Sequence, residues 1–241
     1  MAARRSLTEL APGLWSLGQK RGGRVHAYLA ETGGELSLVD TLWDVDARIV
    51  LDAIAKLGRR PSDLKRIAIT HGHRSHLGGA AALRRVTGAP IHAHPAEADI
   101  LAGRRRAKRV PVTLRPPSLI PFRLGLALGF PKHPPFEVDE PLADGNAFGP
   151  LQVVHAAGHS PGHLAFWWPE RRALISGDAI ATWPSVDPGW PDFQLDPTEH
   201  ERSLRRMAAL EPLVVGVGHG EAIADATPDR VHALAERARY M

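Results

Sequence analysis

The chain has 241 residues, with 30 lysines and arginines against 26 aspartates and glutamates, and a formal charge of +4 with histidine neutral. At 44% hydrophobic and 23% charged it has the composition of a globular protein with a sizeable core, which excludes disorder, collagen and coiled coil. The lack of cysteine excludes a disulfide framework, a cysteine-type zinc finger, an iron–sulfur cluster and a thiol nucleophile, so any metal must sit on His, Asp or Glu.

The N-terminal segment holds Arg4 and Arg5 with no apolar stretch behind them, which predicts neither a signal peptide nor a twin-arginine signal and hence a cytoplasmic protein. Residues 13–19, 25–31 and 35–40 are short apolar or alternating runs between glycine-rich breaks and read as a strand meander. Val45, Ile49, Ile54 and Leu57 keep helical spacing until Gly58 stops it, predicting a helix over 45–57. A buried strand over 66–70 leads into a histidine cluster and a helix over 77–85. That order puts the cluster at the C-terminal end of a strand, where α/β sheets favour ligand sites.

Residues 89–93 read as a strand and 95–103 as a helix, after which 104–135 turn basic, then apolar and proline-rich without a period. This stretch is expected to be an insertion within one domain spanning 1–241 rather than a second domain. Its basic run, Arg104, Arg105, Arg106, Lys108 and Arg109, reads as a solvated helix end, not a nucleic-acid site. Its apolar run, Leu119, Ile120, Phe122, Leu124, Leu126, Leu128 and Phe130, reads as a lid over the histidine hollow or as a contact between two copies in a homodimer. Pro121, Arg123 and two glycines break this run, and it falls short of the roughly 20 residues that span a bilayer. Strands follow over 151–155, 164–168 and 173–176, then a tryptophan- and proline-rich loop over 182–195, a helix over 198–210, a strand over 213–217 and a closing helix over 229–240. Strands followed by helices in each half predict an α/β fold of two packed sheets with helices outside.

The segment that carries chemistry is Thr70-His71-Gly72-His73-Arg74-Ser75-His76, three imidazoles directly after a strand. Imidazoles at i and i+2 of an extended segment point to one side, and a third at the start of the next helix can turn back to the same hollow. A divalent ion takes three or four such donors, and a catalytic one keeps a position open for water. Gly158-His159-Ser160-Pro161-Gly162-His163, Ser176-Gly177-Asp178 and Gly218-His219-Gly220 each follow a predicted strand as well.

In order and spacing these segments resemble the metallo-β-lactamase superfamily, whose pattern runs His-x-His-x-Asp-His, Gly-His-Thr-x-Gly-His, Gly-Asp and a late Gly-His. The resemblance covers nearly the whole chain, with spacings similar to the glyoxalase II-like and lactonase-like branches. It implies an αββα sandwich of two mixed sheets flanked by helices. It also implies a first ion on His71, His73 and His159, a second on His76 and His219, and Asp178 bridging both and acting in catalysis. Zinc, as one or two ions, is the expected metal, with manganese or iron as alternatives. Asp40 matches the family's early aspartate that orients a ligand imidazole, and Thr70 is a further candidate for such support. Ser75 stands where the family has an aspartate; a neutral hydroxyl neither replaces the charge nor ligates well, so the second site is expected to be weaker.

The implied activity is hydrolysis of an ester, thioester or lactone bond in a small acyl substrate by a metal-activated hydroxide. Two other readings stay open: a persulfide dioxygenase-like enzyme with one iron, and a binding protein whose site has degenerated at Ser75. The tyrosine that quorum-signal lactonases carry after the bridging aspartate has no match, since Tyr28 and Tyr240 lie elsewhere. Trp183, Trp190 and Phe193 read either as the wall of an apolar acyl pocket or as core. His155 and His163 read as packing or supporting residues, and the pair His92 and His94 as structural.

Overall fold

The computed structural model describes residues 6–107, 120, 124, 133–190, 193–226 and 228–239. The chain opens with β1 (Ser6–Ala11), β2 (Leu14–Gln19), a short α1 (Arg21–Arg24), β3 (Val25–Thr32) and β4 (Glu35–Val39), whose strands form an antiparallel meander. It continues through α2 (Arg48–Lys56), β5 (Leu64–Ala68), α3 (Arg74–Leu77), α4 (Ala80–Thr87), β6 (Ile91–Ala93), α5 (Ala98–Leu101) and β7 (Glu140–Pro141). β4 to β7 pair in parallel and complete a seven-stranded sheet in sequence order. β8 (Ala147–Phe148), β9 (Leu151–His155), β10 (Leu164–Trp168), β11 (Ala173–Ile175) and β12 (Val214–Gly216) make a second, five-stranded mixed sheet, with α6 (Pro197–Ala208) and α7 (Pro228–Ala238) alongside.

The layering follows from strands that alternate with period two while both faces are buried. On β3, Val25, Ala27 and Leu29 join a core with Val50, Ile54 and Leu83 of α2 and α4, whereas Tyr28 and Ala30 face the second sheet. On β10, Ala165 and Trp167 pack with Leu204, Met207, Val231 and Leu234 of α6 and α7, whereas Leu164, Phe166 and Trp168 face the first sheet. Helix, sheet, sheet and helix therefore stack around three apolar layers, the αββα sandwich expected from the sequence. α6 starts cleanly because Asp196 accepts from the Glu199 amide at 3.0 Å with Pro197 in the first helical position.

Several boundaries differ from the sequence reading. The helix expected over 77–85 is α4, over 80–87, with α3 before it: the Gly78 and Gly79 amides bond the Leu42 and Thr41 carbonyls at 2.8 and 3.3 Å and so interrupt the helix, and a Cβ on Gly78 would sit 2.2 Å from the Trp43 carbonyl oxygen. The helix expected over 95–103 begins as a 3-10 turn, Pro95–Glu97, before α5. The strand expected over 66–70 is Leu64–Ala68, although the Ile69 amide still bonds the His92 carbonyl at 2.9 Å. Of the stretch 104–135, most of the apolar run and Lys108 and Arg109 lie outside the described residues, so the lid or dimer contact expected there does too. Arg104 binds Asp99 and Glu137, and Arg105 binds the Ala96 carbonyl, which ties down one end of this stretch. Among the described residues no helix is long and apolar enough to cross a membrane.

Phe166 is fully buried between the sheets, its ring 5.4 Å from that of Phe148. Phe166→Ala should cost about 3–5 kcal/mol in urea denaturation, whereas Val45→Ala, at a half-exposed position, should stay within about 0.5 kcal/mol.

Candidate metal centre

Loops from both sheets deliver the six candidate donors to one place. His71 and His73 follow β5, and His73 caps α3, so His76 in that short helix turns back until its ring lies 4.5 Å from that of His71. His159 sits in the turn between β9 and β10, Asp178 in a 3-10 turn, Gly177–Ala179, after β11, and His219 in the loop after β12. All but His73 are at least nine-tenths buried.

His73 Nδ1 lies 3.0 Å from His71 Nε2 and 2.9 Å from His159 Nε2. Asp178 Oδ2 stands 3.6 Å from both of those Nε2 atoms and 3.4 Å from His219 Nε2, while Asp178 Oδ1 stands 3.3 Å from His76 Nε2. The donors fall into two groups sharing Asp178: His71, His73, His159 and Asp178, and His76, Asp178 and His219, each with ligand atoms within 4.8 Å of one another.

The outer nitrogens decide what the inner ones present. Thr70 Oγ1 donates to Asp40 and so accepts from His71 Nδ1 at 2.9 Å. His76 Nδ1 donates to Asp40 Oδ2, and His219 Nδ1 to the Gly23 carbonyl, both at 2.8 Å. In their neutral forms these three rings therefore aim a bare Nε2 lone pair inward. Lone pairs facing one another and a carboxylate repel unless a cation lies among them. The fit to a cation shows again in His76 Nε2 and Asp178 Oδ1, both buried without a hydrogen-bond partner. Asp40 and Thr70 thus touch the outer nitrogens of His76 and His71, and the Thr70 amide also donates to Asp40 at 2.9 Å.

Without a cation, the electrostatics separate His76 from the three histidines of the first group. Burial pushes His71 and His159 well below the usual histidine range and His73 down to about 4, leaving them neutral, the form in which an imidazole can bind a metal. Burial alone would raise the Asp178 carboxyl, but the charges of His219 and His76 outweigh it and hold the group well below the usual carboxylate range. Burial opposes charge on His76 too, yet Asp178 and Asp40 raise it to about 10.

Ser75 is buried in α3 beside His76 and brings no charge. His163 is not a donor: its Nε2 accepts from the Asp178 amide at 3.1 Å, and burial lowers it to about 3. His94 stacks on His155 at 4.5 Å and accepts from the Ala96 amide, and His92 packs edge-on against Phe148. These three stand outside both donor groups. Trp190 lies 4.6 Å from the His219 ring and Phe193 6.5 Å, edge-on, from His73, while both pack together with Trp183. They are core and border of the centre at once. Sequence reasoning passed over Glu97, a buried carboxylate on the turn before α5, because nothing in its local pattern separates it from an ordinary helix-start residue.

The metal-stripped protein should show a stability maximum near neutral pH. Burial holds His73 at about 4, and burial with the charge of His219 does the same for His26, whereas unfolded histidines titrate near about 6.5. Below that value the unfolded chain takes up protons that the folded one refuses, so stability falls as pH drops towards 4. His76 works oppositely: raised to about 10, it stabilises below about 6.5, and that stabilisation is lost as pH rises through 10. Thermal melts of chelator-treated protein across this span check the curve; a Tm that climbs steadily towards pH 4 contradicts it.

Comparison with known proteins gives the family. The family model of the metallo-β-lactamase superfamily matches residues 21–219. The chain is 27% identical over 201 residues to the probable metallo-hydrolase YybB of Bacillus subtilis (strain 168), covering 83% of this chain and 82% of that one. It is 28% identical over 177 residues to the hydroxyacylglutathione hydrolase of Rhodobacter capsulatus, covering 72% of this chain but only 54% of the relative. Among solved structures, the metallo-beta-lactamase family protein TTHA1429 from Thermus thermophilus superposes with a TM-score of 0.67 at 29% identity, over 96% of this chain and 81% of that one. The chain belongs to the metallo-β-lactamase superfamily.

Proposed function

We propose that this protein is a metal-dependent hydrolase of small acyl substrates, cleaving an ester, thioester or lactone bond. The observation that carries the reading is the pair of donor groups joined through Asp178. A divalent cation bound there supplies acidity to water, lowering its pKa towards about 7, and polarisation of the substrate carbonyl. His71, His73 and His159 with Asp178 would hold the first ion, and His76 and His219 with Asp178 the second. Imidazole and carboxylate donors suit zinc, and also manganese or iron. With Ser75 uncharged, the second group has three donors and one negative charge, so it is the weaker.

The chain's own residues do the rest. Asp40 and Thr70 keep the His71 and His76 rings in the tautomer that ligates. Asp178, shared by both donor groups, serves to hold the centre together, and the leaving group takes its proton from solvent. Trp190 and Phe193 exclude water on one side and favour an apolar acyl portion. Similarity to a hydroxyacylglutathione hydrolase supports thioesters as the first class to test.

The persulfide dioxygenase alternative uses two histidines and one carboxylate on a single iron. Three imidazoles converging on Asp178, and two more beyond it, favour the hydrolase. All six donors are present and clustered, which favours activity over degeneration.

Metal analysis of protein purified without added metal, then reconstituted with zinc, should find two ions per chain with the second lost first on dialysis. His219→Ala should release that second ion alone. Loss of an outer partner typically costs 10–100-fold, so His159→Ala, which removes a ligand, should cut turnover on a thioester and lactone panel by more than about 100-fold. One iron with dioxygen uptake, or no metal at all, overturns the reading. Trp183→Ala should raise KM for acyl substrates while leaving kcat in place; an unchanged KM removes the aromatic wall from the account.

A further inference from the structure

The three histidines of the first donor group come from two loops that belong to different sheets, residues 71–73 after β5 and His159 after β9. Their separation must be set to a few tenths of an ångström for His73 Nδ1 and His159 Nε2 to converge. One side chain spans the gap between them. Glu97 is almost fully buried; its Oε2 accepts from the Gly72 amide at 3.0 Å, and its Oε1 accepts from Ser160 Oγ at 2.7 Å and from the Gly162 amide at 2.9 Å. Gly72 lies between two donors of the first loop, and Ser160 and Gly162 follow the donor of the second.

The same contact accounts for the two glycines. A Cβ on Gly72 would stand 2.9 Å from Glu97 Oε2 and 2.7 Å from Ile100 Cγ2, and one on Gly162 would stand 2.8 Å from Glu97 Cγ. A carboxylate can approach both backbones this closely only where neither carries a side chain. Three charge-assisted hydrogen bonds satisfy the buried anion, so its cost is offset only while both loops hold these positions.

We propose that Glu97 is a positioning residue of the first metal group: it locks the loop of His71 and His73 to the loop of His159 and so sets the spacing of their ligand nitrogens. This rests on the metal reading above. Gln in place of Glu97 keeps the shape but has one acceptor oxygen. Whichever way the amide turns, its NH₂ faces a backbone N–H, that of Gly72 or that of Gly162, and one loop is released.

The test is zinc affinity by competition with a chromophoric chelator, together with the visible spectrum of the cobalt-substituted protein, for wild type, Glu97→Gln and Ser160→Ala. Glu97→Gln should weaken the more tightly held ion by about 10–100-fold, leave the weaker ion in place and shift the cobalt bands. Ser160→Ala, which removes one of the three donors, should move both readouts in the same direction by less. Folded variants with wild-type affinity and spectrum would overturn the proposal and leave Glu97 as a tie in the scaffold. Should Glu97→Gln fail to fold, Ser160→Ala decides by the same criterion. A wild-type protein that takes up neither zinc nor cobalt overturns the metal reading, and the role of Glu97 with it.

Discussion

A single carboxylate, that of Asp178, is buried where four histidine Nε2 atoms lie 3.3–3.6 Å away. Removing such a charge from water costs several kcal/mol unless opposite charge meets it, so the loops around it are constrained to bring compensation. The backbone yields to this demand. A Cβ on Gly218 would stand 1.9 Å from Asp178 Oδ1, and Gly177, just before the carboxylate, has φ +53° with His163 pressed against it. Neither position tolerates a side chain while Asp178 stays where it is.

The sandwich meets that demand by pinning the loops of one sheet with residues of the other. Tyr28, on β3, sends its hydroxyl to the Val217 carbonyl at 2.7 Å, passing so close to Gly216 that a Cβ there would lie 2.6 Å from the ring. The His26 amide bonds the Gly218 carbonyl, and the Gly220 amide bonds that of Arg24. The loop of His219 is thereby fastened to the start of β3, far away in sequence. Within the first sheet itself Asp40, at the end of β4, fastens His76 directly and His71 through Thr70, from a backbone with a left-handed φ of 61°. Packing between the sheets sets the coarse distance, and these polar links set the fine one.

Much of this was legible from residues alone. The donors could be read because each follows a short apolar strand, β5, β9, β11 or β12, and because their order along the chain is distinctive. Asp40 and Thr70 could be read for the same reason. What escaped depends on contacts distant in sequence. β7 and β8 are two residues each, too short to carry a period, and they exist because a neighbouring strand offers free backbone groups. The break between α3 and α4 depends on the carbonyls of Thr41 and Leu42 drawing off the amides of Gly79 and Gly78, and Gly78 reads as a tolerated helix glycine until that loop is in view. Glu97 acts through Gly72, Ser160 and Gly162, partners up to 65 positions away, and none of them marks it locally. The stretch 104–135 lacks a period for the sequence reader, and most of it lies outside the described residues.

Were both donor groups to hold a cation, sharing Asp178 would make their occupancies thermodynamically linked. Whatever factor a cation in one group imposes on the affinity of the other, the second cation imposes the same factor on the first. Where other members of the superfamily place an aspartate, Ser75 leaves the second group without a carboxylate of its own, so the first cation to bind neutralises the one anion that both groups use. The linkage would then be negative, and the singly loaded protein would span a wide range of free metal concentration. Metal supply, rather than any change of fold, would then set which form of the centre prevails.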